Sequence, residues 1–464
     1  MAALSRRSFL AGLLPSQPRP NIVLILLDDL GYADLGCYGQ KKIQTPHIDS
    51  LARDGMKFPH AYAGGAVCAH SRCVLMTGRH LGHAPIRANA GTSPLPADTV
   101  TLARVLQRAG YATGGFGKWG LGDAGSSGVP THHGFDHFYG YLHQVHAHTY
   151  FPEFLWENDR RDSLGKTVYS AGRIADRSIA WLQQQKGKPF FLYAAYTVPH
   201  GHYETPTSAP YEATGWPVKE KAYAAMVTQG DGYVGRILAT LREMGVEQNT
   251  LVLFASDNGG VTAEGHSTSF FDSMRAPSGT LLRGQKGTLY EGGLRVPFLA
   301  RWPGRIAPGT RNNSPVYFAD LLPTCAAAAG APAPKGDGLS LLPLFAGKAA
   351  PSRTLHWEHY SYNAKTRSLT PQGAALRSGQ WKAVLPEGAS LPELYDLSVD
   401  EAESQDLAPT NPRLARRLAG AIRQAHTPPL PHTPIMDWVR YKITTLTKLS
   451  LGGAQHGGQY GSLT

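Results

Sequence analysis

Three stretches of the chain share one pattern: an unbroken apolar, largely β-branched or aromatic run that stops abruptly on polar groups. NIVLILLDDLG (21–31) stops on Asp28 and Asp29. KPFFLYAAYTVPH (188–200) stops on His200, and NTLVLFASDNGG (249–260) on Asp257 and Asn258. Continuous apolar runs of this length predict strands buried on both faces, the habit of parallel sheets. Between them, TVTLARVLQRAGY, GRIADRSIAWLQQQ and YAAMVTQGDGYVGRILATLREMG carry apolar residues at helical spacing. Strands alternating with helices predict an α/β fold: a large, mostly parallel sheet with helices on both faces. Ligands of such sheets bind outside the carboxyl ends of the strands. Three strand ends bearing Asp28–Asp29, His200 and Asp257–Asn258 therefore predict one shared site.

Composition narrows the partner. The chain has 464 residues, 42% hydrophobic and 17% charged, which fits a water-soluble protein with a real core. Its net charge of +11 favours anionic partners. The basic residues are scattered rather than gathered into an arm, so a small or polymeric anionic substrate ranks above nucleic acid. Four cysteines (Cys37, Cys68, Cys73 and Cys325) make no disulfide framework in a chain this long, and Cys37 and Cys325 read as small buried hydrophobes. No apolar run reaches the length of a membrane span. At the N-terminus, LSRRSFLAGLL pairs two arginines with a Phe-Leu, resembling a bacterial twin-arginine export signal over residues 1–19, although the apolar region after Arg7 is short. That resemblance implies a periplasmic or extracellular protein.

The chemistry of the strand ends is specific. Asp28, Asp29, Asp257 and Asn258 offer hard oxygen ligands, suited to calcium or magnesium rather than zinc. Arg72 and two lysines in glycine-rich loops, Lys118 in GFGKWGLG and Lys286 in LLRGQKGTLYEGG, supply cations that could neutralise an oxyanion. In VCAHSRCVLMTGRH (67–80), Cys68 stands four residues before Arg72, either a buried thiol or the start of a reaction.

With PNIVLILLDDLGYADLGCYG, TPHIDSLARDGMKF, CAHSRCVLMTGRH, GYATGGFGKWGLG, HGFDHFYGY, SDNGG, GQKGTLYEGGLRVPFLARWPG and FADLLPT in this order, the chain resembles the formylglycine-dependent sulfatases of the alkaline-phosphatase-like superfamily from about residue 20 to 428. RSGQWKAV and ELYDLSVDEAESQDLA resemble that family's small C-terminal subdomain, an antiparallel sheet with a helix. The implied organisation is a catalytic domain over 20–335, the subdomain over 336–430, and a tail over 431–464 to which no role is assigned.

The resemblance implies that a maturation enzyme oxidises Cys68 to formylglycine. One hydroxyl of the hydrated aldehyde attacks sulfur, and the other later expels the sulfate. It further implies that Asp28, Asp29, Asp257, Asn258 and the modified Cys68 hold calcium, and that Arg72 and Lys118 hold the hydrate and the sulfate. Asp257 is also the candidate to take the nucleophile's proton. Lys286 and His200 then face the bridging oxygen, with His200 as general acid. Arg87, His148, His266 and Arg283 fall in segments that border the pocket in relatives and are candidate substrate contacts. The implied activity is hydrolysis of a carbohydrate or aryl sulfate ester. A phosphatase or phosphonate-ester hydrolase, and a non-catalytic binder of sulfated glycans, stay open beside it.

Two positions depart from the family pattern. His70 stands where a proline or alanine is usual, in the segment the maturation enzyme reads. Gly120 stands where many relatives carry a histidine assigned to proton removal from the sulfated hydrate. His83, His133, His146 and His148 are its candidate replacements, and the sequence does not choose among them.

Overall fold

In the computed structural model, which describes residues 19–89, 94–261, 270–276, 278–363, 366 and 368–430, the three apolar runs become adjacent strands of a ten-stranded sheet. Every residue of Asn21–Leu27, Phe190–Tyr196 and Thr250–Ser256 is buried. The sheet runs, in spatial order, Thr310–Arg311, Met56–Lys57, Phe298–Arg301, Thr250–Ser256, Asn21–Leu27, Phe190–Tyr196, Ala112–Lys118, His137–Tyr141, Phe154–Glu157, Arg160–Ser163. The five strands from Thr250–Ser256 to His137–Tyr141 are parallel, and antiparallel pairing begins on either side of them. Leu27 pairs with Tyr196 on one side and Ser256 on the other, so all three runs finish level at one edge.

Alternation along the first strand explains the layers. Ile22, Leu24 and Leu26 join one apolar cluster with Leu102, Leu106 and Val74, while Val23, Ile25 and Leu27 join the other with Ile174, Ile179 and Val234. Helices Leu102–Arg108 and Cys68–Thr77 thus cover one face, and Ser170–Gln183 and Val218–Glu243 the other.

Lys118, read from sequence as a loop residue, instead ends the strand Ala112–Lys118. The glycines make this strand possible rather than breaking it. Gly114 leaves room for the Trp181 ring, and a side chain on Gly117 (φ +107°) would collide with the Ala195 carbonyl oxygen of the neighbouring strand.

Strands Thr354–Asn363, Ser368–Ser378, Trp381–Pro386 and Glu393–Asp396 form a separate antiparallel meander. Helix Pro412–Ala425 packs Ala415, Leu418 and Ile422 on its Leu376, Ala383 and Leu394. Trp357 donates to Ala63 O at 2.9 Å, and the fully buried Lys382 ammonium lies 2.9 Å from Glu291 and 2.8 Å from Glu403, tying the meander to the main body. No helix among the described residues is long and apolar enough to cross a membrane. The export-signal stretch through residue 18 and the tail beyond 430 lie outside the described residues.

Removing one partner of a buried ion group costs about 3–5 kcal/mol, because the remaining charge stays desolvated. Lys382→Met is therefore expected to destabilise the protein by that amount, read as a lower denaturant midpoint. An unchanged midpoint would show that Lys382 does not hold the two layers together.

Candidate active site

The site begins with how the chain enters helix Cys68–Thr77. Val67 is extended and has no capping side chain of its own. His70, three residues on, fills that role: its Nε2 accepts the Val67 N–H at 2.9 Å. Nδ1 must then carry the hydrogen, and it donates to Arg87 O at 3.0 Å. Ser71 Oγ accepts the Gly64 N–H at 3.0 Å and donates to Asp257 O, and Asn89 Oδ1 accepts the Ala69 N–H at 2.9 Å. Cys68 is thereby fixed, fully buried, against the ends of the central strands.

Its Sγ lies 3.4 Å from Asp28 Oδ1. The other oxygen of Asp28 is 2.6 Å from Lys118 Nζ and 3.5 Å from Arg72 Nη2. Arg72 grips Asp257 Oδ2 with Nε and Nη2 at 3.0 and 2.8 Å, and donates through Nη1 to Lys118 O at 2.6 Å. Asp29 accepts from Asn258 Nδ2 at 2.7 Å on one oxygen and from Lys286 Nζ at 2.7 Å on the other. His200 Nε2 is 3.3 Å from both Lys286 Nζ and Asp29 Oδ2. Tyr150, which the sequence did not single out, donates to the carbonyls of Thr197 and His200 at 2.7 and 2.9 Å and holds that turn.

Burial opposes ionisation of Asp28, but Lys118, His200, Arg72 and Lys286 together outweigh it and hold its carboxyl well below the usual range. Asp29 is lowered in the same way, chiefly by Lys286 against its own burial. Asp257 is pushed up to about 6 by burial and by Asp28, against Arg72 and Lys118. His200 falls to about 4, mainly through burial. Burial, then Asp257 and Asp28, raise the Cys68 thiol far above its ordinary value, so it is neutral and a poor nucleophile as a cysteine.

The residues fit a divalent cation. Asp28, Asp29, Cys68 and His200 bring ligand atoms within 4.8 Å of one another. Asn258 Oδ1, fully buried beside them, has no hydrogen-bond partner among the described residues. Carboxylate and amide oxygens in this number suit a hard ion.

Residues 20–331 match the family model Sulfatase, and residues 284–424 match the model described as N-sulphoglucosamine sulphohydrolase, C-terminal. The chain belongs to the sulfatase family. It is 34% identical over 450 residues to arylsulfatase A of Homo sapiens, covering 86% of this sulfatase and 85% of that protein. It is 30% identical over 506 residues to N-acetylgalactosamine-6-O-sulfatase of Bacteroides thetaiotaomicron, covering 88% and 93%. The solved structure of Ps i-CgsB in complex with k-i-k-neocarrahexaose superposes with a TM-score of 0.77 at 28% identity, covering 93% of this chain and 99% of that one.

Of the candidate substrate contacts in this sulfatase, the structure brings one to the cluster. His148 stacks on His200, ring centroids 4.4 Å apart, and shares with Asp29, His200 and Lys286 the wall of a cavity of about 760 Å³. Arg87 does not reach it: all five of its N–H groups are used by Ala84 O, Gly82 O, Thr427 O, Thr427 Oγ1 and the Glu358 carboxylate. It is a buried strut to the small sheet, not a free donor. Arg283 also turns to that sheet, stacking on Tyr290 and donating to Glu393, Tyr395 and Glu403 O. His266 lies outside the described residues. Among the candidate replacements for the residue lost at Gly120, His83 bonds Asp337, His133 bonds Thr99 and Ser127 carbonyls, and His146 packs between Tyr141 and Phe154; only His148 stacks on a residue of the cluster.

His70 gives a pH prediction. Burial, with His359 beside it, lowers its pKa to about 3, against about 6.5 in an unfolded chain. Below 6.5 the unfolded state gains a proton that the folded state refuses, so this contribution to stability falls as pH falls toward 3. Wild type should lose about 1.4 kcal/mol per pH unit between pH 6 and 4 relative to His70→Gln, measured by denaturant unfolding. Parallel pH profiles for the two proteins would contradict the assignment.

Proposed function

We propose that this sulfatase hydrolyses carbohydrate or aryl sulfate esters, using formylglycine made from Cys68 by a maturation enzyme and a calcium ion held by Asp28, Asp29, Asp257, Asn258 and the modified residue 68. The observation that carries this is the convergence on one buried thiol of three carboxylates and three cations, with Sγ 3.4 Å from Asp28. An unreactive thiol has no evident task there, whereas a hydrated aldehyde supplies a hydroxyl nucleophile at neutral pH. The cation, when bound, lowers the pKa of that nucleophile and draws charge from the sulfate oxygens.

The side chains divide the remaining work. Arg72 holds Asp257 by two N–H groups, aiming the carboxylate that takes the nucleophile's proton. Lys118, Arg72 and Lys286 offset the charge that grows on the ester as the S–O bond breaks. The leaving oxygen needs a proton. His200 Nδ1 contacts Gly201 O, which turns Nε2 to Asp29 Oδ2 at 3.3 Å, where the carboxylate favours a proton on that nitrogen in the imidazolium form. His200 delivers it to the departing alcohol.

A carbohydrate substrate is supported by the N-acetylgalactosamine-6-O-sulfatase relative and the neocarrahexaose complex, and by a cavity lined by His148, His202 and Tyr203 beyond the cluster. The N-terminal resemblance to a twin-arginine signal supports a periplasmic or extracellular location.

Protein co-expressed with a maturation enzyme should yield a Cys68 peptide carrying the mass loss of thiol-to-aldehyde conversion, and should hydrolyse an aryl sulfate. His200→Asn should lower kcat by about 10²–10⁴-fold on an alkyl or sugar sulfate. The loss should be much smaller when the leaving group is an acidic phenol that needs no proton. A thiol that survives conditions converting a control sulfatase would overturn the mechanism and favour a binder of sulfated glycans.

A further inference from the structure

Helix Pro412–Ala425 commits its apolar side to the small sheet, where Ala415, Leu418 and Ile422 meet Leu376, Ala383 and Leu394. Its opposite side is a row of cations. Arg413, Arg416, Arg417 and Arg423 are all exposed. Helical spacing gathers them into an arc of about 120°, along about 15 Å of the axis. Among the described residues none of the four forms an ion pair or a side-chain hydrogen bond. The helix carries no Asp or Glu, and the terminal stretches 1–18 and 431–464 hold a single acid between them, Asp437. The chain's own ends therefore cannot neutralise this face.

The arrangement costs the helix stability. Arg413 neighbours Arg416 and Arg417 at i+3 and i+4, spacings at which like charges repel. Arg413 also stands in the first turn, where the helix dipole disfavours a cation and no acid offsets it. Gly420 lies in the middle of the same face, and glycine weakens a helix interior. Packing does not require it, since a Cβ there would meet no atom within 4 Å. Bare backbone flanked by Arg416, Arg417 and Arg423 makes a saddle. An extended chain can lie along it while guanidinium groups grip from either end.

The face selects its ligand. Guanidinium forks match the oxygens of a sulfate group two at a time. An anionic membrane fits poorly, because a helix that binds lipid buries its apolar side there, and here that side is already packed on the sheet. Arg423 also stands on the wall of a cavity of about 480 Å³, together with Tyr360 and the exposed Glu387. Glu358, on the same wall, is taken up by Arg87 and His426. A free carboxylate beside the arginines repels a uniformly charged polyanion such as nucleic acid, but accepts hydrogen bonds from sugar hydroxyls.

We propose that the exposed face of helix Pro412–Ala425 is a docking site for a sulfated polysaccharide, with Arg413, Arg416, Arg417 and Arg423 holding sulfate groups of a chain that runs over Gly420. None of these residues lines the cavity at the catalytic cluster, so the site is a second one. The choice of a glycan rests on the carbohydrate reading above.

Dextran sulfate is the probe and unsulfated dextran its control, titrated into protein whose Cys68 is left as a thiol so that no ester is cleaved. Replacing Arg416, Arg417 and Arg423 together by Gln removes the charges and keeps a good helix former at each position. Dextran sulfate should then bind about tenfold more weakly, and the slope of log affinity against log salt should flatten by roughly two to three. The converted triple variant should keep the wild-type kcat/KM for a small aryl sulfate. Gly420→Gln should raise the melting temperature through helix propensity, yet weaken dextran sulfate binding by filling the saddle. Unchanged affinity and slope in the triple variant overturn the proposal and leave the sulfatase reading standing. Equal binding of unsulfated dextran overturns it too, as does arginine-dependent binding of phosphatidylglycerol vesicles or duplex DNA that is tighter than that of dextran sulfate. A wild type that hydrolyses no sulfate ester but binds dextran sulfate through these arginines supports the docking site and overturns only the catalytic reading.

Discussion

Three carboxylates held together out of water are the constraint on which this structure turns. Asp28 and Asp257 are fully buried and Asp29 nearly so, at the ends of two adjacent parallel strands. Like charges at such distances in a dry environment cannot all stay ionised without compensation. The chain answers with Arg72, Lys118 and Lys286, each drawn from a different element, each paired to a carboxylate at 2.6–2.8 Å. Named acids and named cations balance, three against three. A dication held there would leave the site positive, which is the condition an anionic ester needs. Parallel strands in register explain why the acids meet at all, since Leu27 and Ser256 lie side by side and the chain must turn at once beyond them.

The parts of this arrangement legible in the sequence were those carried by periodicity. Asn21–Leu27, Phe190–Tyr196 and Thr250–Ser256 announce themselves because strands buried on both faces need apolar residues at every position. Their terminal acids and His200 follow from that placement alone. Helices Ser170–Gln183 and Val218–Glu243 were equally plain, for each has one apolar face against the sheet.

Ala112–Lys118 was hidden, because its ATGGFGK sequence has the composition of a turn. Glycine is there for the bulk of its neighbours, Trp181 and the Ala195 backbone, and no local rule reports what a distant ring will occupy. Arg87 and Arg283 misled for the same kind of reason. A cation near a motif in sequence suggests a ligand, yet the Glu358 and Glu393 that claim them lie 271 and 110 residues away. His70 looked like a defect in a signature and proves to be its cap, since one tautomer satisfies both Val67 N–H and Arg87 O.

That cap joins the small sheet to the turn that carries Cys68. Glu358, in strand Thr354–Asn363, binds the Arg87 guanidinium at 3.1 Å. The Arg87 carbonyl accepts from His70, His70 accepts from Val67, and Val67 precedes Cys68. The His359 ring stands edge-on to the His70 ring from the same strand, centroids 5.9 Å apart. The links are buried or part-buried and specific in geometry, so a shift of the small sheet moves the turn from which residue 68 projects. Reacting groups must be held within a fraction of an ångström of their productive positions. The C-terminal subdomain therefore helps fix where residue 68 projects, although among the described residues it contributes no side chain to the cluster itself.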